Sequence, residues 1–229
     1  MKAVIFDLYN TLIDVKTDEH RESSWTPVVS FLAARGIEAD ERTLIRLYDE
    51  KWSELVSDLE ASSPYEYPEG DITEVYKRMA EALGGRLNDE AAAECALIAR
   101  KASIVRLGVF DGIAELFAEL RDRGAKLYLL SNAQSSFTPY ELSQCGLTDA
   151  FDGVLLSSDC GVRKPDIAFF AMLCEKFGIA ESSAVMVGDD EVNDGKGALD
   201  FGIKYVKADG GAAAHKTDIL RVLEELENA

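Results

Sequence analysis

Side chains that could do chemistry stand directly after short apolar runs of this sequence. Asp7 follows the first run, and Ser131 with Asn132 ends the second. Lys164 lies a few residues beyond the third run, and Asp189 comes just after the fourth. A carboxylate can attack phosphorus or carbon and split one difficult displacement into two easier steps. The pattern therefore favours an enzyme in which Asp7 acts as a carboxylate nucleophile.

The densest group of acidic residues is Asp189, Asp190 and Asp194, within six positions of one another. Carboxylates crowded together raise one another's pKa unless a cation neutralises them. Oxygen-only ligands suit a hard ion such as Mg²⁺, which commonly takes one or two carboxylates together with water and a substrate phosphate. The alternative is a solvated acidic loop that caps a helix beginning at Val192.

Each candidate residue also has a structural interpretation. Asp7, taken alone, could cap a turn or a helix, because Asp is common in both. Thr11 and Ser131 could make ordinary turn hydrogen bonds instead of donating to substrate oxygens. Lys164 is a lone cation that could pair with Asp7 and with an anionic substrate. The convergence of these residues on strand ends favours the functional interpretation over the structural one.

The elements that must position these residues follow from short apolar runs. Strands are predicted at Ala3–Phe6, Lys126–Leu130, Gly153–Ser157, Ala184–Val187 and Ile203–Val206. A helix is predicted before the second run, at Gly112–Arg123. Three more are predicted between the later runs, at Pro139–Cys145, Asp166–Phe177 and Val192–Phe201. Alternating strands and helices indicate an α/β fold with a Rossmann-like, doubly wound parallel sheet. Ligands of such sheets bind beyond the carboxyl ends of the strands.

The stretch from residue 15 to residue 106 has a different pattern, with charged helical periodicity and no good strand. It predicts helices at Thr26–Arg35, Glu41–Glu60, Thr73–Leu83 and Asn88–Lys101. Hinges are expected at Ile13–Lys16 and Arg106–Gly108. We therefore expect a catalytic core built from residues 1–14 and 107–229, and an inserted all-helical cap at 15–106.

Composition narrows the classes of function. The formal charge of −18 disfavours binding to nucleic acid or to anionic lipid, and it requires local cations wherever an anionic substrate binds. No apolar run approaches the length of a membrane span, and the four cysteines contain no CxxC pair that would indicate zinc. We expect a cytoplasmic protein with reduced thiols, and we expect His20 and His215 at the surface.

Four motifs, taken in order, resemble those of the haloacid dehalogenase superfamily, and the resemblance spans the whole chain. Its Asp-x-Asp-x-Thr motif is matched by Asp7 to Thr11 (DLYNT), and its strand-ending Ser or Thr by Ser131. Its Lys, often followed by Pro, is matched by Lys164, and its acidic motif by 188–194 (GDDEVND). The helical insertion stands where the family's first type of cap belongs.

This resemblance implies a role for each matched residue. Asp7 would be the nucleophile, and Lys164 would steady both Asp7 and the transferred group. Three residues would position substrate oxygens, namely Thr11, Ser131 and Asn132. The Mg²⁺ ligands would be Asp7, the backbone carbonyl of Tyr9, Asp189 and Asp194. Asp190 would support the metal ligands from behind or contact the ion through water.

Tyr9 departs from the motif of the family's phosphatases, which carry Asp there as a general acid and base. Acid–base catalysis typically contributes about 10²–10⁴-fold to a rate. Tyrosine at this position is similar to the family's 2-haloacid dehalogenases, whose motif is Asp-x-Tyr-Gly-Thr and which need neither metal nor proton donor. Asn10 replaces the glycine of that motif. The acidic cluster nevertheless favours a Mg²⁺-dependent phosphatase of small phosphorylated metabolites, working through an aspartyl-phosphate. A 2-haloacid dehalogenase and a non-catalytic binding protein are the alternatives.

Overall fold

The structure is a computed structural model that describes residues 2–226. Its strands and helices are, in chain order, β1 (Ala3–Phe6), β2 (Ile13–Thr17), α1 (Glu22–Ala33), α2 (Glu41–Ser62), α3 (Ile72–Ala82), α4 (Asp89–Ser103), β3 (Ile104–Val109), α5 (Ile113–Asp122), β4 (Lys126–Ser131), α6 (Thr138–Gln144), β5 (Gly153–Leu156), α7 (Ser157–Cys160), α8 (Ile167–Phe177), β6 (Ala184–Gly188), α9 (Gly197–Phe201), β7 (Lys204–Lys207) and α10 (Lys216–Glu225). Short 3-10 turns lie at Glu181–Ser183 and Ala212–His215, and a π-helical segment at Glu191–Lys196 precedes α9.

Five strands form one parallel sheet in the order β5-β4-β1-β6-β7. Strand β1 lies at its centre, with Phe6 level with Leu129 of β4 on one side and Val187 of β6 on the other. The chain builds one half of the sheet outward from β1 and then returns to build the other half. The predicted Rossmann-like α/β core is therefore confirmed, and the switch point lies at the carboxyl end of β1.

Helices cover both faces of this sheet because its strands alternate their side chains between the faces. Val4 and Phe6 pack with α5 and α10 on one face, whereas Ala3 and Ile5 pack with Phe169 and its neighbours of α8 on the other. A third apolar cluster lies within α1–α4 and also includes Phe137, from the segment that follows β4.

The prediction of no strand near the two crossings into the helical insertion is wrong. Strands β2 and β3 pair as an antiparallel ribbon, with Ile13 level with Val109. Asp14 and Arg106 are joined across this ribbon by a hydrogen bond of 2.6 Å. The two strands are short, half-exposed and charged, and each pairs with a partner about ninety positions away. Periodicity within one segment does not reveal such a pairing, so both appear as hinges in the sequence.

The predicted helices occur with small shifts, and one departure has a clear cause. Helix α1 begins at Glu22, four residues before the predicted Thr26, although Pro27 would fit a helix start. The added turn buries Trp25, whose indole N–H donates to the Glu19 carbonyl at 2.6 Å. Burial of this side chain outweighs the backbone hydrogen bond that proline removes. Helix α10 was not predicted.

Among residues 2–226, no helix is both long and apolar enough to cross a membrane. The four cysteines are free thiols, as expected. His20 is exposed and pairs with Asp49, and half-buried His215 hydrogen bonds to the Asp209 carbonyl.

Candidate active site

Asp7 stands at the switch point, in the first position after the central strand. Its backbone N–H continues the sheet by donating to the Val187 carbonyl at 2.9 Å, which fixes where the side chain emerges. The carboxylate is buried, and its Oδ1 accepts from Lys164 Nζ at 2.6 Å and from Ser131 Oγ at 3.2 Å. Oδ2 accepts no hydrogen bond from the residues that the structure describes. One oxygen of Asp7 is thus held in place while the other is free to react or to bind a cation.

Lys164 is buried and lies between two carboxylates. Its Nζ donates at 2.6 Å both to Asp7 Oδ1 and to Asp194 Oδ1. Burial opposes the ammonium charge, but Asp194 and Asp7 outweigh it, so the pKa of Lys164 is raised. Burial, together with the charge of Asp7, raises the pKa of Asp194 to about 6 even though Lys164 opposes this shift. One ammonium is therefore shared by two acids that cannot both be neutralised by it.

Asp189 adds a third carboxylate beside Asp7 and Asp194. One ligand oxygen from each of Asp7, Asp189 and Asp194 can be chosen so that all three lie within 4.8 Å of one another. Burial first, and then the charge of Asp7, raises the pKa of Asp189. Thr11 Oγ1 donates to Asp189 Oδ1 at 3.3 Å. The hydroxyl predicted to bind substrate therefore orients a carboxylate in this structure.

We call Asp7, Lys164, Asp189 and Asp194 the carboxylate pocket, and its charges fit a divalent cation. Three carboxylates and one ammonium leave the pocket two negative charges in excess when all four groups are ionised. The ligand atoms are all oxygens, which is the set that Mg²⁺ prefers. The carbonyl of Tyr9 receives no hydrogen bond from any residue in the described range, so it too is free to bind an ion.

Asp190 has a different use from its neighbours. Its Oδ1 accepts from the N–H groups of Val192 and Asn193 at 2.8 and 2.9 Å, and its Oδ2 accepts from Asn193 Nδ2. Burial works against the charge, but these hydrogen bonds prevail and lower the pKa of Asp190. Asp190 is thus the N-cap of the π-helical segment. The structural interpretation, a cap on the helix that follows, holds for this one of the three acids.

Gly188 is required by the packing of Asp194. A Cβ built at Gly188 would lie 2.1 Å from Asp194 Oδ2 and 2.3 Å from its Cγ. Real Cβ atoms never approach so closely, so any other residue at 188 would displace Asp194 and with it Lys164. In the sequence this glycine is visible only as part of a motif, because its contact with Asp194 depends on the turn that follows β6.

Asn132 makes two hydrogen bonds to the backbone of Lys164, in the loop that follows α7. Its Oδ1 accepts from the Lys164 backbone N–H at 2.8 Å, and its Nδ2 donates to the Lys164 carbonyl at 3.1 Å. The two bonds attach this loop to the end of β4. Asn132 also lines the cavity between α1–α4 and the sheet, so the predicted contact with substrate stays a prediction beside this observed one.

Tyr9 lies beside the pocket, but its phenol is engaged elsewhere. Its hydroxyl donates to Glu141 Oε2 at 2.6 Å and lies 3.3 Å from Thr138 Oγ1. Burial, followed by the charge of Glu141, raises the pKa of Tyr9 well above its usual value. The phenol therefore stays protonated and donates to a fixed acceptor, so it does not replace the missing acid–base Asp.

Asn10 occupies the position at which the dehalogenase motif has glycine. Its φ of 59° lies in the left-handed region, which glycine adopts freely and which asparagine tolerates better than most residues. The turn is closed by hydrogen bonds from the N–H groups of Leu12 and Ile13 to the Leu8 carbonyl. The change from Gly to Asn thus preserves the backbone, and it carries no weight against a dehalogenase.

A cavity of about 740 Å³ separates the helical insertion from the ends of the sheet. Its insertion side includes Trp52 and Tyr67, and its core side includes Tyr9, Asn132 and Arg163. This cavity is large enough for a small metabolite. Trp25 and Tyr48 line a separate, smaller cavity, most of whose lining comes from α1–α4.

The loop between α2 and α3 is attached to the core at several points. Pro68 pairs with Val162 in an isolated bridge. Gln134 donates to the Gly70 carbonyl and accepts from the Ile72 N–H, both at 2.8 Å. The insertion is therefore held to the core here as well as at the β2–β3 ribbon.

Glu141, Arg100, Gln134 and Gly188 were missed as functional candidates. Glu141 had a weak signal in the sequence, because it directly precedes Leu142 on a predicted helix, on the side that the structure shows to be buried. A charged residue at a buried position of an amphipathic helix needs a partner. That partner, Arg100, is 41 positions away, and no local pattern identifies it.

A family model for haloacid dehalogenase-like hydrolases matches residues 1–202 of this chain. Together with the parallel sheet and the acidic strand ends, this match assigns the class. The chain belongs to the haloacid dehalogenase-like hydrolases, as the motifs predicted.

Relatives within this class include several phosphatases. The N-acylneuraminate-9-phosphatase of Mus musculus is 26% identical over 206 residues, which cover 89% of this chain and 80% of that protein. The phosphoserine phosphatase of Thermus thermophilus is 40% identical over 99 residues, covering 43% of this chain and 40% of that protein. The crystal structure of 2-haloacid dehalogenase from Pseudomonas syringae has a TM-score of 0.59 at 20% identity, covering 90% of this chain and 86% of that one. This last likeness concerns the fold alone.

Proposed function

We propose that this protein is a Mg²⁺-dependent phosphatase of small phosphorylated metabolites, with Asp7 as its covalent nucleophile. The observation that carries the proposal is the excess of carboxylates around one lysine in the carboxylate pocket. A metal-dependent phosphatase binds a cation that would balance that excess. A dehalogenase binds none, so the excess would remain unbalanced beside its anionic substrate. The phosphatases among the relatives support the same choice.

Mg²⁺ would be held by Asp7, Asp189 and the Tyr9 carbonyl, with Asp194 completing the cluster. The ion would supply positive charge that draws the substrate phosphate in and stabilises charge on its oxygens in the transition state. This supply matters because the overall charge of −18 repels an anionic substrate.

The chain's own residues divide the reaction between them. Lys164 and Ser131 hold Asp7 Oδ1, so that the free Oδ2 can attack phosphorus as the bond to the ester oxygen breaks. The alcohol leaves and takes a proton from water, and an aspartyl-phosphate remains on Asp7. Water then attacks this phosphorus, which releases inorganic phosphate and restores the carboxylate. Lys164 balances the charge on the transferred group in both steps.

The position of Tyr9 limits which esters react well. Its phenol is bound to Glu141, and it is not available to protonate the leaving oxygen. Esters whose leaving groups are good need little protonation, so aryl phosphates should react faster than alkyl phosphates. The natural substrate would then be one that binds tightly enough in the cavity to compensate for the missing acid.

We also propose that the chain is organised as a catalytic core with an inserted cap. Residues 1–14 and 107–229 would form the catalytic core, and residues 15–106 the cap that covers the cavity. The partner is a small phosphate ester rather than nucleic acid or membrane, and the expected location is the cytoplasm, where the four thiols stay reduced.

A 2-haloacid dehalogenase is the second candidate, and Tyr9 is the observation that favours it. In that reaction Asp7 would attack the carbon that bears the halogen and form an ester, and the halide would leave unassisted. Asp189 opposes this candidate, because it adds a negative charge near a substrate that is itself a carboxylate.

One screen decides between these functions. Purified protein is assayed with aryl and alkyl phosphates and with 2-haloacids, each with Mg²⁺ and with a chelator. We expect release of phosphate that depends on Mg²⁺ and disappears with chelator. Halide release unaffected by chelator would instead establish the dehalogenase. Mg²⁺ binding without turnover of either class would establish the non-catalytic binding protein.

A further inference from the structure

The two halves of the molecule are joined by a buried charged contact that the proposed reaction does not use. It begins at the Tyr9 hydroxyl, which donates to Glu141 Oε2 at 2.6 Å. Glu141 is fully buried on α6, and its second oxygen, Oε1, accepts from Arg100 Nε at 2.7 Å. Each oxygen of this carboxylate thus has one short donor. The first comes from the loop after β1 that carries Asp7, which we call the nucleophile loop, and the second comes from α4 of the cap.

Arg100 completes the contact from the cap side. It lies on α4, with 15% of its side chain exposed, and its Nη1 is 3.4 Å from Glu19 Oε1. Its guanidinium also lies 4.7 Å from the centre of the Phe137 ring and 5.8 Å from that of Tyr9. The guanidinium is therefore held by a carboxylate and an aromatic side chain that both follow β4 in the core.

We propose that Glu141 and Arg100 are positioning residues that couple the closed cap to the nucleophile loop through Tyr9. We call Tyr9, Glu141 and Arg100 the cap–core latch. The catalytic consequence of the latch rests on the proposed phosphatase function, whereas its mechanical consequence does not.

The latch favours the closed cap because the carboxylate of Glu141 is buried. Moving the cap away from the core separates Arg100 from Glu141 and removes one of the two short donors of a buried carboxylate. Such a group is costly to leave unpaired, so the latch favours the closed cap.

The consequence for the site follows from chain distance. Tyr9 is two residues after Asp7 and precedes the left-handed turn at Asn10, which leaves little freedom between the phenol and the nucleophile. Holding the phenol therefore fixes the Tyr9 carbonyl, which is a proposed ligand of Mg²⁺. A closed cap and an ordered metal site thus require the same contact.

The variants that test the latch remove one contact each. Tyr9→Phe removes the hydroxyl and keeps the ring, and Arg100→Met removes the guanidinium but keeps a long apolar side chain. The double variant combines them. Arg35→Met is the matched control, because Arg35 also pairs with a carboxylate, that of Glu94, and lies over a phenylalanine ring, but entirely within the cap.

Two measurements that need no turnover serve as readouts. The first is amide hydrogen exchange in β3 and α6, which contact each other beside the latch, recorded without metal. The second is the affinity for Mg²⁺ by calorimetry. We expect faster exchange in both elements for Tyr9→Phe and Arg100→Met, and wild-type exchange for the Arg35 control. Losing a buried charged contact should weaken Mg²⁺ binding about tenfold for Arg100→Met, and losing the neutral hydroxyl about threefold for Tyr9→Phe.

The double variant distinguishes a latch from two separate packing defects. If Tyr9 and Arg100 act through the same carboxylate, the double variant should bind Mg²⁺ no more weakly than Arg100→Met. Effects that multiply in the double variant, or exchange in Arg100→Met equal to that of the control, would overturn the latch. If Arg100→Met does not fold, Arg100→Lys keeps the cation and permits the same comparison. A wild-type protein that neither binds Mg²⁺ nor hydrolyses phosphate esters would refute the proposed function, and the exchange data would still decide the latch.

Discussion

The carboxylate pocket and the cap–core latch both bury charge, but their charges are balanced differently. In the pocket, three carboxylates share one ammonium, and an oxygen of the central Asp7 has no partner among the residues described. In the latch, both oxygens of Glu141 are satisfied by short hydrogen bonds. The pocket therefore keeps an excess of negative charge that a bound cation would balance, whereas the Glu141 carboxylate of the latch already has a donor at each oxygen. Buried charge that lacks a partner indicates where chemistry occurs, and buried charge that is fully paired indicates what holds the parts in place.

The strongest test of this contrast is removal of the nucleophile. Asp7→Asn should lower kcat on an aryl phosphate at least about 1,000-fold, because no other group can form the covalent intermediate. The fold should survive, because the change relieves crowding among the acids. Rates and melting temperature are measured beside Asp49→Asn, an exposed acid of the cap that should behave as wild type. Turnover retained in Asp7→Asn would rule out the covalent mechanism.

A second test separates two adjacent aspartates. Mg²⁺ at about 100 times its Kd should stabilise the wild-type protein by about 2.7 kcal/mol, since it binds only the folded state. Asp189→Asn should abolish this gain. Asp190→Asn should keep it, because Asp190 caps the segment that follows and asparagine caps equally well. Thermal unfolding with and without Mg²⁺ provides the measurement, and loss of the gain in Asp190→Asn alone would reverse the assignment of the two acids.

A third test disturbs the pocket without removing any of its charges. Gly188→Ala places a Cβ against Asp194, so we expect about 1–3 kcal/mol of lost stability from overpacking. Mg²⁺ affinity should fall with it, because Asp194 can no longer hold Lys164 in place. Gly108→Ala is the control, since a Cβ there meets nothing within 4 Å. Equal behaviour of the two variants in denaturant titrations would show that the close contact at Gly188 is absent in solution.

The smallest effect concerns pH. The pKa of Asp194 is raised to about 6, so near pH 6 about half of the metal-free molecules carry a proton there that Mg²⁺ must displace. Affinity for Mg²⁺ should be full above the pKa and fall as the pH drops through it. Calorimetry at pH 6 in buffers of different ionisation enthalpy should reveal proton release on binding, and the same experiment at pH 8 should not. Asp194→Asn should remove the release at pH 6; its persistence there would assign the proton to another group.

The contrast between the two regions also explains what could be predicted. Asp7 and Asp189 follow strands directly, and Ser131 ends one. Parallel strands bring their carboxyl ends to one edge, so the pocket was visible as a pattern. Asp190 is also an aspartate at the end of a strand, but it serves as a cap, because the backbone turns its carboxylate toward the π-helical segment that follows. Spacing identified the cluster but could not assign a direction to each side chain.

The β2–β3 ribbon and the latch were not predicted, for the same physical reason. Asp14 meets Arg106 across 92 positions, and Arg100 meets Glu141 across 41. Asp14, Arg106 and Arg100 occupy ordinary charged positions in their own segments. Glu141 lies on the buried side of a short helix, but nothing nearby in the sequence identifies its partner. Only folding of the helical insertion against the core brings the partners together.

The sequence by itself determined the parallel sheet, the helical insertion and the carboxylate pocket, because each depends on local periodicity or on the order of strand ends. The tertiary structure alone decided the use of Tyr9. The motif alone allowed the phenol of Tyr9 to face the substrate as a poor acid. In the structure Glu141 accepts a hydrogen bond from the phenol, because burying that carboxylate between core and cap requires a donor from each side.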